Sequence, residues 1–190
     1  MSQTASFFAA LQRHRAVFAD VEQYADASQQ LLDAVLQCLK AGGKVVWMGN
    51  GGSAADSQHL AAEFMVRYKA ERGPLASIAL TTDTSILTAH ANDYHFDTVF
   101  ARQVQGLVRP QDVVIGLTTS GKSANINLAL QAANEIGAFT VALTGRDGGL
   151  VKDIANLPII VQFDETARIQ EVHMFIGHWL CEALDLELGA

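Results

Sequence analysis

Residues 44–59 read Lys-Val-Val-Trp-Met-Gly-Asn-Gly-Gly-Ser-Ala-Ala-Asp-Ser-Gln-His. The apolar run Val45–Met48 is too short for a helix and stops at a glycine-rich turn. The residues after it favour a helix from about Ala54 to Arg67, so the stretch predicts strand, turn and helix in succession. The same unit recurs downstream. Further strands are expected at Ser77–Thr81, Asp112–Leu117, Phe139–Thr144 and Leu157–Val161, and helices at Ser85–Ala91, Phe96–Leu107, Ala124–Ile136 and about Glu165–Leu186. Strands that are apolar throughout, rather than alternating, are buried on both faces. Separated by helices, they specify an α/β fold with a doubly wound, five-stranded parallel sheet and right-handed crossovers. Upstream, apolar residues recur at helical spacing through the first forty positions, and Ala41-Gly-Gly closes that segment with glycine as the stop.

The chain has 190 residues, of which 49% are hydrophobic and 17% charged. That is enough for one domain with a full core. The net charge of -7, with no run of four basic residues, disfavours nucleic acid and anionic membranes as partners. An anion can still be bound locally by backbone amides at helix starts. Cys38 and Cys181 lie far apart and read as buried thiols in a reducing compartment. The start, Met-Ser-Gln-Thr-Ala-Ser-Phe-Phe, lacks the basic-then-apolar pattern of a leader, and no apolar run approaches spanning length. A cytoplasmic location is expected.

Two turns have the composition of anion loops. The first, Gly49-Asn-Gly-Gly-Ser-Ala-Ala-Asp, lets the backbone approach a ligand closely through its glycines. Its alternative reading is a tight turn with Ser53 as the helix N-cap. The second, Thr118-Thr-Ser-Gly-Lys-Ser-Ala-Asn, places the hydroxyls of Thr118, Thr119, Ser120 and Ser123 at a helix start. That is more than capping requires, and hydroxyls with amides can bind phosphate without much positive charge. In a doubly wound sheet, ligands lie at the carboxyl ends of the strands where the order reverses. A third turn, Thr144-Gly-Arg-Asp-Gly-Gly, is expected to be structural only.

His59 and Glu63 sit four apart, on one helix face, a pairing that suits a divalent cation, acid/base work or a plain surface hydrogen bond. The last helix is apolar around much of its circumference, yet carries Gln170, Glu171, His173 and His178, which need partners in a dry setting. No serine elbow is present, and neither cysteine adjoins a base in a recognisable pattern, so nucleophilic catalysis is not expected.

With GNGGSAADSQHLAAEF, LTTDTSILTAHANDY, TTSGKSAN, ALTGRDGG and ARIQEVHMFIGH in one order, nearly the whole chain resembles the sugar isomerase (SIS) domain family. Within that family it is similar to the phosphoheptose isomerases, which interconvert sedoheptulose 7-phosphate and D-glycero-D-manno-heptose 7-phosphate. The resemblance implies one SIS domain over 1–190, including the helical segment 1–41, with a flavodoxin-like sheet. It implies a homotetramer whose sites use more than one subunit, acting on a small sugar phosphate in bacterial heptose synthesis. It implies one Zn2+ per subunit on His59, Glu63, Gln170 and His178, and an acid/base pair on Glu63 and His178. Substrate contacts fall on Asn50, Gly51, Gly52, Ser53, Glu63, Asn92, Asp93, Thr118, Thr119, Ser120, Ser123 and Gln170. His173 matches the pattern without a role. Thr118 replaces a serine of some members and keeps the hydroxyl, Lys122 replaces an asparagine, and Ala167 replaces an aspartate, so no acidic function is expected there. Some close SIS relatives are instead non-catalytic tetrameric adaptors that bind the replication initiator protein. Those lack the complete metal and acid/base set, whereas Glu63 and His178 are both present here.

Overall fold

The computed structural model describes residues 6–189, so residues 1–5 of the expected helical start and residue 190 lie outside them. The strands are β1 (Val45–Gly49), β2 (Ser77–Ala79), β3 (Val113–Thr118), β4 (Phe139–Gly145) and β5 (Leu157–Val161). They form one parallel sheet in the order β2-β1-β3-β4-β5. This is the flavodoxin-like order, and it reverses between β1 and β3. Gly49 pairs with Leu117, so the loops that follow β1 and β3 leave neighbouring strands at nearly the same level.

The helices are α1 (Phe7–Phe18), α2 (Ala25–Lys40), α3 (Gly52–Met65), α4 (Thr84–Asp93), α5 (Val99–Leu107), α6 (Ala124–Ile136) and α7 (Thr166–Leu188). Strand side chains alternate between the two faces of the sheet. Val45, Trp47, Ile115 and Leu143 point to one face, where they meet Leu31 and Val35 of α2, Leu60 and Phe64 of α3 and Ile176 and Leu180 of α7. Val46, Met48, Val114 and Ala142 point to the other, against Val99 and Val104 of α5 and Ile126 and Leu130 of α6. α2 is therefore part of the core, and its end is closed by Gly42 at φ 73. The Gly42 and Gly43 amides donate to the Leu39 and Cys38 carbonyls, at 3.1 and 2.9 Å, as in a Schellman stop.

Several expected elements differ in extent. β2 is three residues long rather than five, because the chain turns away after Ala79. The expected helix 96–107 begins with a separate 3-10 turn, Phe96–Thr98. The helical start is two helices, α1 and α2, joined through the 3-10 turn Val21–Tyr24. Ser53 is not an N-cap. Gly51, at φ 56, occupies that place without a side-chain bond, and α3 begins and ends two residues earlier than its side chains suggest. Among the described helices, none is long and apolar enough to cross a membrane.

Candidate active site at the carboxyl edge of the sheet

The loop after β1 turns sharply. A Cβ on Gly49 would collide with the Ser53 backbone, and Gly51 adopts a left-handed φ, so neither position accepts a side chain without strain. A Cβ on Gly52 would lie 2.6 Å from Nε2 of Gln170, which places the Gln170 amide against the start of α3. Ser53 is 4% exposed and its amide donates to the Asn50 carbonyl at 3.0 Å, so it backs the loop from beneath.

Asn50 also joins the two loops. It exchanges reciprocal amide hydrogen bonds of 2.9 Å with Asn125, in the first turn of α6. Sequence reasoning gave Asn125 no role; its position within TTSGKSAN was the available clue. In the second loop Thr118 is buried and lies 3.2 Å from Ser123, oxygen to oxygen. Thr119 and Ser120 are half-buried, and Lys122 is exposed. The turn after β4 does more than connect. Gly121, at φ 66, packs directly on Gly148 and Gly149. Its carbonyl accepts the Leu150 and Val151 amides at 3.0 and 3.1 Å. The third turn thus fixes the second loop, which composition alone could not show.

α3 and α7 run parallel across the front of the cleft: Gly52 meets Gln170, and Leu60 meets Gly177. This brings two distant stretches together. Nε2 of His59 lies 2.9 Å from Nε2 of His178 and 3.5 Å from Oε1 of Glu63. Burial first, and then the neighbouring His59, hold His178 below the usual imidazole range, with Glu63 acting in the opposite sense. The neutral ring is the form that ligates a cation or accepts a proton. Asp56, one turn earlier on α3, has a buried Oδ2 without a partner, and burial raises its pKa against the opposing effect of His59. It lines the same cleft as Gln170, Met174 and His178. His173 points the other way: fully buried, it bonds the Thr144 carbonyl at 2.9 Å.

Two imidazoles, a carboxylate and a nearby amide are a chemically suitable donor set for zinc. The donors are drawn in on one another, and among the described residues no three His, Cys, Asp or Glu side chains stand in a ready cation cage. Asn92 and Asp93 are not brought to this cluster. They end α4, are exposed, and bond each other at 2.8 Å. A larger surface concavity than this cleft lies at the opposite edge of the sheet, lined by Gln37, Pro110, Phe139 and Asn156. Its acidic groups are already engaged, Asp112 with Lys44 and the Arg109 amide and Asp33 with Gln29.

Residues 8–145 match the model of the SIS domain. The phosphoheptose isomerase of Aquifex aeolicus is 54% identical over 87% of this chain and 86% of its own length. The chain belongs to the SIS domain family, among its phosphoheptose isomerases. Solved structures agree. The phosphoheptose isomerase of Neisseria gonorrhoeae superposes with a TM-score of 0.89 at 42% identity, covering 94% of this chain and 96% of its own. That of Francisella tularensis gives 0.93 at 34% identity, over 98% and 100%. This SIS-domain protein is therefore an isomerase, and its two glycine-bearing loops flank the reversal point of the sheet as the fold class expects.

Proposed function

We propose that the chain interconverts sedoheptulose 7-phosphate and D-glycero-D-manno-heptose 7-phosphate by moving a proton between C1 and C2 through an enediol. The observation that carries this reading is the approach of His178 to His59 and Glu63 beside the Gln170 amide. The relatives' names supply the substrate. Glu63 takes the carbon-bound proton and returns it to the neighbouring carbon. His178, with its depressed pKa, exchanges protons with the substrate oxygens. His59, Glu63, Gln170 and His178 would hold one Zn2+ per subunit, which when bound supplies Lewis acidity at the substrate carbonyl. A carboxylate that ligates a cation is a weaker base, so Glu63 must free an oxygen during turnover.

Thr119, Ser120 and Ser123 anchor the phosphate with the first amides of α6, while Thr118 and Ser53 back the two loops. Asn50, Gly51, Gly52 and Gln170 face the sugar. Anchoring the remote ester orients the reacting carbons. Asn92 and Asp93 serve the site of a neighbouring subunit in a homotetramer, which accounts for their exposure on α4. The enzyme works in the cytoplasm at the first step of ADP-heptose synthesis for lipopolysaccharide.

The test is incubation of zinc-loaded protein with a panel of ketose phosphates, followed by product identification, alongside Glu63→Gln. The heptose is expected as product, and Glu63→Gln is expected to lose at least about a hundredfold in kcat while keeping its fold. Turnover near the wild-type level in that variant would remove Glu63 as the base.

A further inference from the structure

The segment between α3 and β2 is irregular in backbone yet firmly tied down. Asp185, on α7, accepts the Lys69 and Ala70 amides at 2.7 and 2.8 Å and Nε of Arg72 at 2.8 Å. Arg72 also donates to the carbonyls of Glu63 and Phe64, both at 2.9 Å, at the open end of α3. The two charged side chains are only 2% and 4% exposed. Burial favours protonation of Asp185, but the two amides and the guanidinium outweigh it and hold the carboxyl below its usual range. A buried pair with its remaining hydrogen bonds filled is a rigid clasp, because removing either partner would strand a charge. Lys69 adds an outer tie to Glu182 at 2.9 Å.

The clasp presents Tyr68 to the cluster. The Tyr68 ring lies 5.6 Å from the His178 ring at 21°, a stacked geometry, while His59 meets the same imidazole at 5.1 Å and 83°, edge-on. His178 is thus confined by one ring face and one ring edge. Arg72 ties down the backbone of Glu63 from the same loop. One loop therefore fixes both members of the acid/base pair, the carboxylate through its own carbonyl and the imidazole through a stacked ring.

We propose that Tyr68 is a positioning residue for the isomerisation, setting the plane of the His178 imidazole through its ring face, with the Arg72–Asp185 clasp holding Tyr68 in place. This rests on the reading of Glu63 and His178 as the acid/base pair. The ring face, not the hydroxyl, is what acts, so Tyr68→Phe keeps the function and Tyr68→Leu loses it. Misplacing a reacting group lowers the rate more than it weakens binding, so kcat falls on the order of tenfold or more in Tyr68→Leu at nearly unchanged KM.

Three measurements test this on the full chain. The first is kcat and KM of Tyr68→Phe, Tyr68→Leu and Tyr68→Met, with Met filling the space if Leu folds poorly. The second is the His178 ring-proton shifts in the metal-free protein, identified by their absence in His178→Gln. These are expected to move downfield in Tyr68→Leu, where the shielding ring is gone, and to stay in place in Tyr68→Phe. The third is zinc affinity against a chromophoric chelator, expected to weaken several-fold in Tyr68→Leu and to be restored in Tyr68→Phe. An unchanged kcat in folded Tyr68→Leu and Tyr68→Met, or unmoved His178 shifts, would overturn the proposal while an inactive His178→Gln kept the acid/base reading. A fully active His178→Gln would overturn both.

Discussion

Gly52 shows how one missing atom shapes the site. Its backbone is compatible with alanine, and the atoms an added Cβ would meet all belong to the movable Gln170 amide, the nearest at 2.6 Å. Gly52→Ala should therefore leave stability within about 0.5 kcal/mol of wild type by urea denaturation. It should push Gln170 aside and lower zinc affinity and turnover together, and intact zinc binding in this variant would count against Gln170 as a ligand. His173 makes a separate prediction in pH. Burial lowers its pKa from 6.5 to about 4, partly opposed by its bond to the Thr144 carbonyl, and its buried Nδ1 has no partner. The unfolded chain then binds a proton that the folded chain refuses between those values. The contribution of this residue is complete above pH 6.5 and is lost as pH falls, by roughly 3 kcal/mol near pH 4. A His173→Gln variant that keeps a donor cannot titrate, so its denaturation midpoint should fall less steeply over that window. The residue types His59, Glu63, Gln170 and His178 were readable as a set only through resemblance. Nothing in spacing alone says that position 59 meets position 178, since that depends on how α3 and α7 cross the sheet. Tyr68 and Asn125 were illegible for the same reason, each acting through a partner far along the chain.

At the level of elements, the second loop and the turn after β4 behave as one piece. Gly121 combines a left-handed φ of 66 with backbone contact to Gly148. Gly121→Ala therefore meets peptide atoms that cannot rotate away, unlike the amide beside Gly52. We expect a loss of about 2 kcal/mol or more, seen as a lower urea midpoint, and a raised KM for the phosphate ester. A variant with both values unchanged would show that the loop does not depend on this contact. The strands were legible because a parallel sheet demands unbroken apolar runs, and β5 and α6 have the expected boundaries, Leu157–Val161 and Ala124–Ile136. Edges were less legible. β2 stops at Ala79 although the apolar Leu80 follows, so its length is set by where the chain leaves the sheet and not by its apolar content. α3 begins at glycines that no propensity scale favours, because the backbone turn rather than a capping side chain starts it.

For the whole molecule, α4 is the telling feature. None of its residues is buried, and Ile86, Tyr94 and Phe96 are 39%, 62% and 53% exposed in and just after it. The proposed homotetramer covers this face and delivers Asn92 and Asp93 to a partner's cleft. Sedimentation equilibrium should give four chains for the wild type and fewer for Ile86→Lys, with activity falling in step; a wild-type monomer with full activity would refute the sharing of sites. The parallel sheet has one more effect on the whole particle. α3, α6 and α7 each follow a strand and so begin at the same edge, which forms the mouth of the candidate site. The body behind that mouth carries a charge of -7, while the positive pull of helix ends fades within about one turn. With the phosphate anchored at that mouth as proposed, the protein would act as a charge filter: long polyanions would meet repulsion over their length, and a lone ester small enough to reach the mouth would find a welcome that extends only a few bond lengths.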